Sequence, residues 1–214
     1  MKNKWWIFII LVVALTMSAC GKQEVETKTQ GTPVDNTPVE NAEKEAIVKI
    51  DGTLFDKSDL EFYTLMQVIN IELARNENNN DYVNERLKQF ENSNVQLQTL
   101  IEIHAMSLLA KEKNYFIPPE KLEKKVAEFM SSVDGNEKIE NMLSDFGEAE
   151  VNSRIRSYFE KVMLQNRVVA DLEKQVQESL PNASDQEIAY EVTKQYEELY
   201  MDQIGDLELK IYMK

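Results

Sequence analysis

The chain predicts a mainly helical domain over residues 45–214, with one long helix and a small pairing of strands from its two ends. Apolar residues recur there at three- and four-residue spacing, the period of helices with one buried face. Proline, glycine and asparagine clusters separate these stretches. Two short alternating segments, 46–50 and 207–212, lie at opposite ends of the domain. We therefore expect them to pair as a two-stranded ribbon that packs on the helices.

The N-terminus is typical of a bacterial lipoprotein signal. Two lysines precede an apolar run over 5–17, and two small residues then lead into Cys20, the only cysteine. The run is short for a transmembrane helix and suits a targeting segment. We predict a signal peptide at 1–19 and a lipid on Cys20, which places the mature chain outside the cytoplasmic membrane. The alternative is an uncleaved anchor helix, which leaves the rest of the chain on the same side.

Residues 20–44 are predicted to be the lipidated cysteine and a flexible tether. Gly31, Pro33 and Pro38 stand among polar residues without apolar periodicity, so the segment cannot bury enough apolar surface to order itself. About 25 flexible residues span roughly 25–30 Å. The domain would therefore stay close to the membrane surface.

The charge balance is strongly acidic. The chain has 38 acidic against 24 basic side chains and a net charge of −14. This excludes nucleic acid as a partner, because phosphates require a basic surface. It also argues against docking on anionic lipid. The acidic surface either serves solubility alone or steers cationic polypeptides or ions towards the chain.

The sequence of the N-terminal half of the domain predicts one strand followed by helices. The strand ends at the turn pair Asp51-Gly52. Asp56 or Ser58 can cap the first helix, and Ser58 with Glu61 fits a capping box. An asparagine-rich break at 76–81 follows. The predicted helices of this half are helix one to about 75, a helical continuation at 82–90 and a central helix at 95–114.

The C-terminal half predicts four more helices and the second strand. Pro118 and Pro119 open the third helix. The fifth runs from 148 to about 178 and spans roughly 45 Å, too long to be covered everywhere by this domain. Ser184 and Glu187 fit a capping box before the sixth. The third helix contains Leu122, Val126 and Phe129, the fourth runs over Ile139 to Phe146, and the sixth from Ile188 to about Met201.

Catalytic chemistry finds little support in the residues. His104, the only histidine, lies in the central helix, where it is either a general base or pH switch or a packed side chain. Zinc needs a His or Cys cluster, which the chain lacks. The segment Asn78–Asp81 with Glu85 lacks the spacing and glycine of a calcium loop. We therefore expect no enzyme activity, no metal and no cofactor.

Flexible and aromatic side chains suggest a binding surface instead. Methionine is adaptable and common at promiscuous binding surfaces. One apolar cradle between the short helices and the long one would bind unfolded segments, and the alternative is that the same residues are ordinary core. The candidate residues are Phe129, Met130, Met142, Phe146, Phe159, Met163, Tyr196 and Tyr200.

The order of these elements resembles the N-terminal chaperone domain of the SurA/PrsA family of extracytoplasmic chaperones. Asp51 stands where the family has asparagine, Asn114 stands where it has glycine, and 83–94 looks like an added segment. Many relatives carry a parvulin prolyl-isomerase domain after the long helix, whereas only about 35 residues follow it here. The matching motifs are Ile47–Gly52, Leu54–Leu60, Leu100–Phe116, Pro119–Val126, Met142–Gly147, Ile155–Arg167 and Leu207–Tyr212.

The resemblance implies a parvulin-free lipoprotein chaperone that acts without ATP and binds unfolded or partly folded secreted polypeptides. By analogy it lies on the outer face of the membrane of a single-membrane bacterium, anchored by lipid on Cys20. The alternative is a lipid-anchored adaptor or assembly protein with one dedicated protein partner. A prolyl isomerase is a third hypothesis, which the missing catalytic domain argues against.

Overall fold

Seven helices and three short strands make up residues 45–213, the part of the chain that a computed structural model describes. The mainly helical class is therefore confirmed, while the predicted signal peptide, Cys20 and the tether lie outside the described residues. The strands are β1 (Ala46–Ile50), β2 (Thr53–Asp56) and β3 (Leu209–Ile211). The helices are α1 (Lys57–Leu73), α2 (Asn80–Gln89), α3 (Ser93–Glu112), α4 (Pro119–Val133), α5 (Glu137–Ser144), α6 (Glu148–Ser179) and α7 (Asp185–Asp206).

The terminal strands pair as predicted, but within a sheet of three strands instead of two. The order is β2-β1-β3, and both pairings are antiparallel. Val48 lies opposite Ile211, and Ile50 lies opposite Leu209. The strand that the sequence analysis missed is β2, which pairs Ile50 with Thr53 across a two-residue turn.

That turn explains why β2 forms. Asp51 has φ 44° and Gly52 has φ 81°. Positive φ at both central residues matches the twist of a hairpin, so the chain reverses at once into a neighbouring strand. A short alternating run after an Asp-Gly pair is therefore better interpreted as a hairpin than as the approach to a helix.

The segment at 82–90 is a separate helix and no continuation of the first. α1 ends at Leu73, and the side chain of Asn79 donates to the carbonyl of Ala74 at 2.9 Å before α2 begins. α2 packs on α1 through Val83 and Phe90 against Ile71. The long helix is consequently the sixth of the described helices, where the fifth was predicted.

The core is built around α6. Its N-terminal half contributes Ile155, Tyr158 and Phe159 to a first cluster with the sheet, α1, α3, α4 and α5. Its C-terminal half contributes Leu164 and Val168 to a second cluster with α3 and α7. The most extensive helix contact among the described residues is that of α3 with α6. Within residues 45–213, no helix is long and apolar enough to cross a membrane.

Candidate interaction surfaces

The eight residues predicted to line one cradle are divided between two clusters. Phe129 and Phe159 belong to the first cluster and Tyr196 to the second, and all three are buried. Four others pack partly buried against the first cluster, and Tyr200 packs against the second. The four are Met130, Met142, Phe146 and Met163. The structure therefore does not bring the eight side chains to one surface, and their role in binding stays a prediction.

The aromatic members of the set contact other parts of the same chain. Phe129 and Phe159 meet edge to face with their ring centroids 5.1 Å apart. Phe146 meets Phe62 in the same way at 5.3 Å, and the Arg154 guanidinium lies 5.7 Å from the Phe146 ring. Such pairs stabilise the interior beyond the area that they bury. These rings hold α4, α6 and the segment after α5 against the core.

A groove between α1 and the start of α5 remains open, with a volume of about 300 Å³. We call it the α1–α5 groove. Met142 is the one cradle residue that lines it. Its apolar lining consists of Val68, Ile69, Leu73, Ile139 and Met142.

The rim of the α1–α5 groove carries one carboxylate and two cationic side chains. Arg75 donates to Glu72 at 2.7 Å, and Lys138 lies 3.5 Å from the same carboxylate. The hydrogen bond from Arg75 lowers the pKa of Glu72 and keeps it ionised. The rim is therefore polar with a small excess of positive charge, and it surrounds an apolar floor.

A second concave surface lies at the turn between α6 and α7, with a volume of about 640 Å³. We call it the α6–α7 tip. Leu180 and Tyr190 are its apolar side chains, and they are 41% and 71% exposed. Neither residue was predicted as a site from the sequence, although the pattern of α7 offered a signal. Tyr190 falls outside the helical spacing of Val192, Tyr196 and Leu199, which face the second cluster.

Tyr196 belongs to a buried polar network that joins three helices. Its hydroxyl donates to Glu102 at 2.9 Å and accepts from the Gln165 amide at 2.7 Å. Gln165 also donates to Glu102 at 3.1 Å. Burial raises the pKa of Glu102, only partly offset by these two hydrogen bonds. The network lies between α3, α6 and α7, so we assign it to the docking of α7.

His104 is buried and forms no hydrogen bond through either ring nitrogen. Its ring meets Phe55 edge to face at 4.9 Å. Burial, with the charges of Lys161 and Lys111, lowers the pKa of His104 to about 4. The imidazole is therefore neutral at physiological pH and packs as an aromatic ring.

Among residues 45–213, no group of three or more His, Cys, Asp or Glu side chains is placed to hold a metal ion. Two asparagines in the first half of α2, Asn80 and Asn84, accept hydrogen bonds from Arg75. Scans of the chain against protein-family models, curated proteins and solved structures found no match.

Proposed function

We propose that the chain is a lipid-anchored extracytoplasmic chaperone that binds unfolded or partly folded secreted polypeptides without ATP. The lipoprotein-like N-terminus supports the location, and the resemblance to the SurA/PrsA family supports the activity. The observation that carries the proposal is the α1–α5 groove, a small opening with apolar side chains in its lining on a strongly acidic chain.

The size of the groove suits single side chains. A volume of about 300 Å³ lies at the lower end of the range for small-molecule sites. It accommodates one or two apolar side chains of an extended segment and is too small for a folded partner. Segments with an exposed leucine, methionine or phenylalanine are therefore the ligands that we expect.

The affinity expected from such a groove is low, as a holding function requires. Burial of one large apolar side chain contributes about 1.5–3 kcal/mol, and the association entropy opposes it. Each contact is thus weak and reversible. A client held by several weak contacts is released when it folds and buries its own apolar side chains.

An aggregation assay tests this proposal. The full chain, in nanodiscs of zwitterionic lipid, is added without nucleotide to a denatured client, and light scattering follows aggregation. We expect suppression that grows with the ratio of chain to client. Leu73→Ser and Met142→Ser, which make the groove floor polar, should weaken it several-fold. Met201→Ser is the matched control, because Met201 is 65% exposed on α7, outside the groove.

Two results would contradict the proposal. One is an unchanged aggregation rate in the presence of the wild-type chain, with empty nanodiscs as the blank. The other is recovery of one stoichiometric partner in place of many substoichiometric clients, which would favour a dedicated adaptor. Circular dichroism of each variant establishes that the groove substitutions leave the fold intact.

A further inference from the structure

The α6–α7 tip combines exposed apolar side chains with one sign of charge. Leu180 and Tyr190 border a shallow surface depression of about 640 Å³ together with Glu187 and Glu191. Tyr190 is 71% exposed, a large fraction for an aromatic side chain on a helix whose other face is packed. A concave surface with an exposed aromatic residue is typical of an interaction site.

The charge of the tip is wholly acidic. Between Lys174 and Lys194 the chain has four acidic residues and no basic one. The two flanking lysines lie 3.8 and 4.0 Å from Glu178 and Glu198 of their own helices. The Ser184 backbone and side chain donate to Glu187 at 2.8 Å each and lower its pKa, so this carboxylate stays ionised in mildly acidic conditions.

This combination restricts the possible occupants. A second copy of the chain carries the same net charge of −14 and would bring like charge to the tip. Nucleic acids and anionic lipid surfaces are repelled for the same reason. A cationic polypeptide is attracted, and its lysine or arginine stems can cover the Tyr190 ring while their charged ends meet Glu187 and Glu191.

We propose that the α6–α7 tip docks extended, positively charged polypeptide segments that also carry an aliphatic or aromatic side chain. This inference rests on the proposed chaperone function and identifies a class of client for it. The apolar side chain contacts Leu180 and Tyr190, and the basic side chains provide the preference over neutral or acidic segments.

The tip follows the C-terminal end of α6, whereas the α1–α5 groove lies beside α1, whose Gln67 and Asn70 donate to Tyr158 in the N-terminal half of α6. This helix has 32 residues, so its ends are about 48 Å apart at 1.5 Å per residue. An extended segment of about 15 residues covers that distance. A client longer than this can engage both surfaces at once, which raises its overall affinity without new contacts.

Peptide binding to the full chain in zwitterionic nanodiscs tests the inference. The probes are two fluorescein-labelled peptides of about 15 residues with identical apolar positions, one with lysine and one with glutamate at the remaining positions. By fluorescence anisotropy we expect the lysine peptide to bind at least about fivefold more tightly than the glutamate peptide. Added salt should reduce this preference.

Two pairs of variants locate the preference. The double variant E187Q/E191Q should remove it, and glutamine at 187 still satisfies the capping box. The control E85Q/E91Q removes the same charge at positions on and just after α2 and should leave the preference unchanged. Leu180→Ser with Tyr190→Ser should weaken the lysine peptide about tenfold, whereas Met201→Ser should not.

The outcomes separate this inference from the proposed function. Equal binding of the two peptides, or tip variants that bind like the wild type, overturns the inference while leaving suppression of aggregation intact. A dimer that the Leu180 and Tyr190 substitutions convert to a monomer overturns it in favour of self-association. If neither peptide binds and the client aggregates as fast with the chain as with empty nanodiscs, both proposals are wrong.

Discussion

His104 packs as an aromatic side chain although it carries two polar nitrogens. Both nitrogens are buried without a hydrogen-bond partner, and the ring lies 4.9 Å from that of Phe55. An unpartnered buried polar group costs stability, whereas an apolar group of similar shape would not. The position in a central helix could be read from the sequence, but the neutral state depends on the residues that surround it.

The low pKa of His104 predicts a pH-dependent stability. Its pKa falls from 6.5 to about 4 on folding. Between these pH values the imidazole is protonated in the unfolded chain and neutral in the folded chain. The neutral state of His104 therefore adds to the free energy of unfolding, fully so above pH 6.5. This contribution, about 3 kcal/mol in total, is lost as the pH falls towards 4. His104→Leu should remove this part of the pH dependence of the free energy of unfolding.

Urea unfolding of wild type and variant between pH 4 and 7.5 measures the difference. Because the chain has one histidine, its imidazole proton is also a unique signal in a proton NMR titration. A His104 signal that titrates near its ordinary value, with parallel stability curves for the two proteins, would contradict the prediction.

Two residues with positive φ show how local chemistry permits unusual backbone. Asp51 has φ 44° and Asn114 has φ 60°. Aspartate and asparagine tolerate the left-handed region better than other residues with a side chain. Asn114 stands just after α3, where such a residue commonly ends a helix. The end of β1 at Asp51 and the end of α3 before Asn114 could therefore be predicted from residue type alone.

Helix starts follow from predicted capping residues. Asp56, one of the two predicted caps of the first helix, is its N-cap, but its capping-box partner differs from the predicted one. Asp56 accepts from the Asp59 backbone at 2.9 Å, and Asp59 accepts from the Asp56 backbone at 3.1 Å. This reciprocal box displaces the predicted pair of Ser58 and Glu61. The predicted box of Ser184 and Glu187 opens α7 and is confirmed. At the start of α1, Asp56, the last residue of β2, takes the capping position instead of Ser58.

The side chain of Glu102 accepts the hydrogen bonds that help to dock α7, while its ionisation opposes folding. Burial raises its pKa above the ordinary value of 4.5. As the pH rises, the carboxyl therefore ionises in the unfolded chain before it does so in the folded chain. Above pH 4.5 this difference lowers the stability of the folded chain. Glu102→Gln keeps an oxygen to accept from Tyr196. We expect it to stabilise the chain at pH 7.5 and to have no effect below pH 4.

Chemical denaturation at both pH values tests the role of Glu102. Glu91→Gln, an exposed residue between α2 and α3, is the control and should change little at either pH. Tyr196→Phe should act in the opposite direction by about 1 kcal/mol or more, because it leaves Glu102 with one fewer donor. A Glu102→Gln variant less stable than the wild type at pH 7.5 would refute the account.

The whole molecule is closed by contact between the two ends of the described domain. β3 pairs with β1, whose residues Val48 and Ile50 are completely buried in the first cluster. Leu207, Leu209 and Met213 pack partly buried against the same cluster. The C-terminal segment therefore completes the core as well as the sheet.

Truncation after Asp206 should destabilise the entire domain. It removes β3 and several partly buried apolar side chains, at a cost of about 2–4 kcal/mol, and leaves one edge of β1 unpaired. Thermal unfolding by circular dichroism measures the loss. Lys210→Ala is the control, since it retains the backbone of the strand. Truncation without a change in melting temperature would show that β3 is dispensable.

Periodicity and turn chemistry determined the helical class, the long helix and the breaks between helices, because these depend on neighbours within a few residues of each other. The terminal strands were recognised by the same local alternation, and their pairing followed from the need of each short strand for a partner. The tertiary structure decided which apolar residues face inwards. It divided the predicted cradle between two clusters, buried Phe129, Phe159 and Tyr196, and left Leu180 and Tyr190 exposed. A helix pattern shows only that a side chain is apolar, whereas its exposure depends on which other helix covers it.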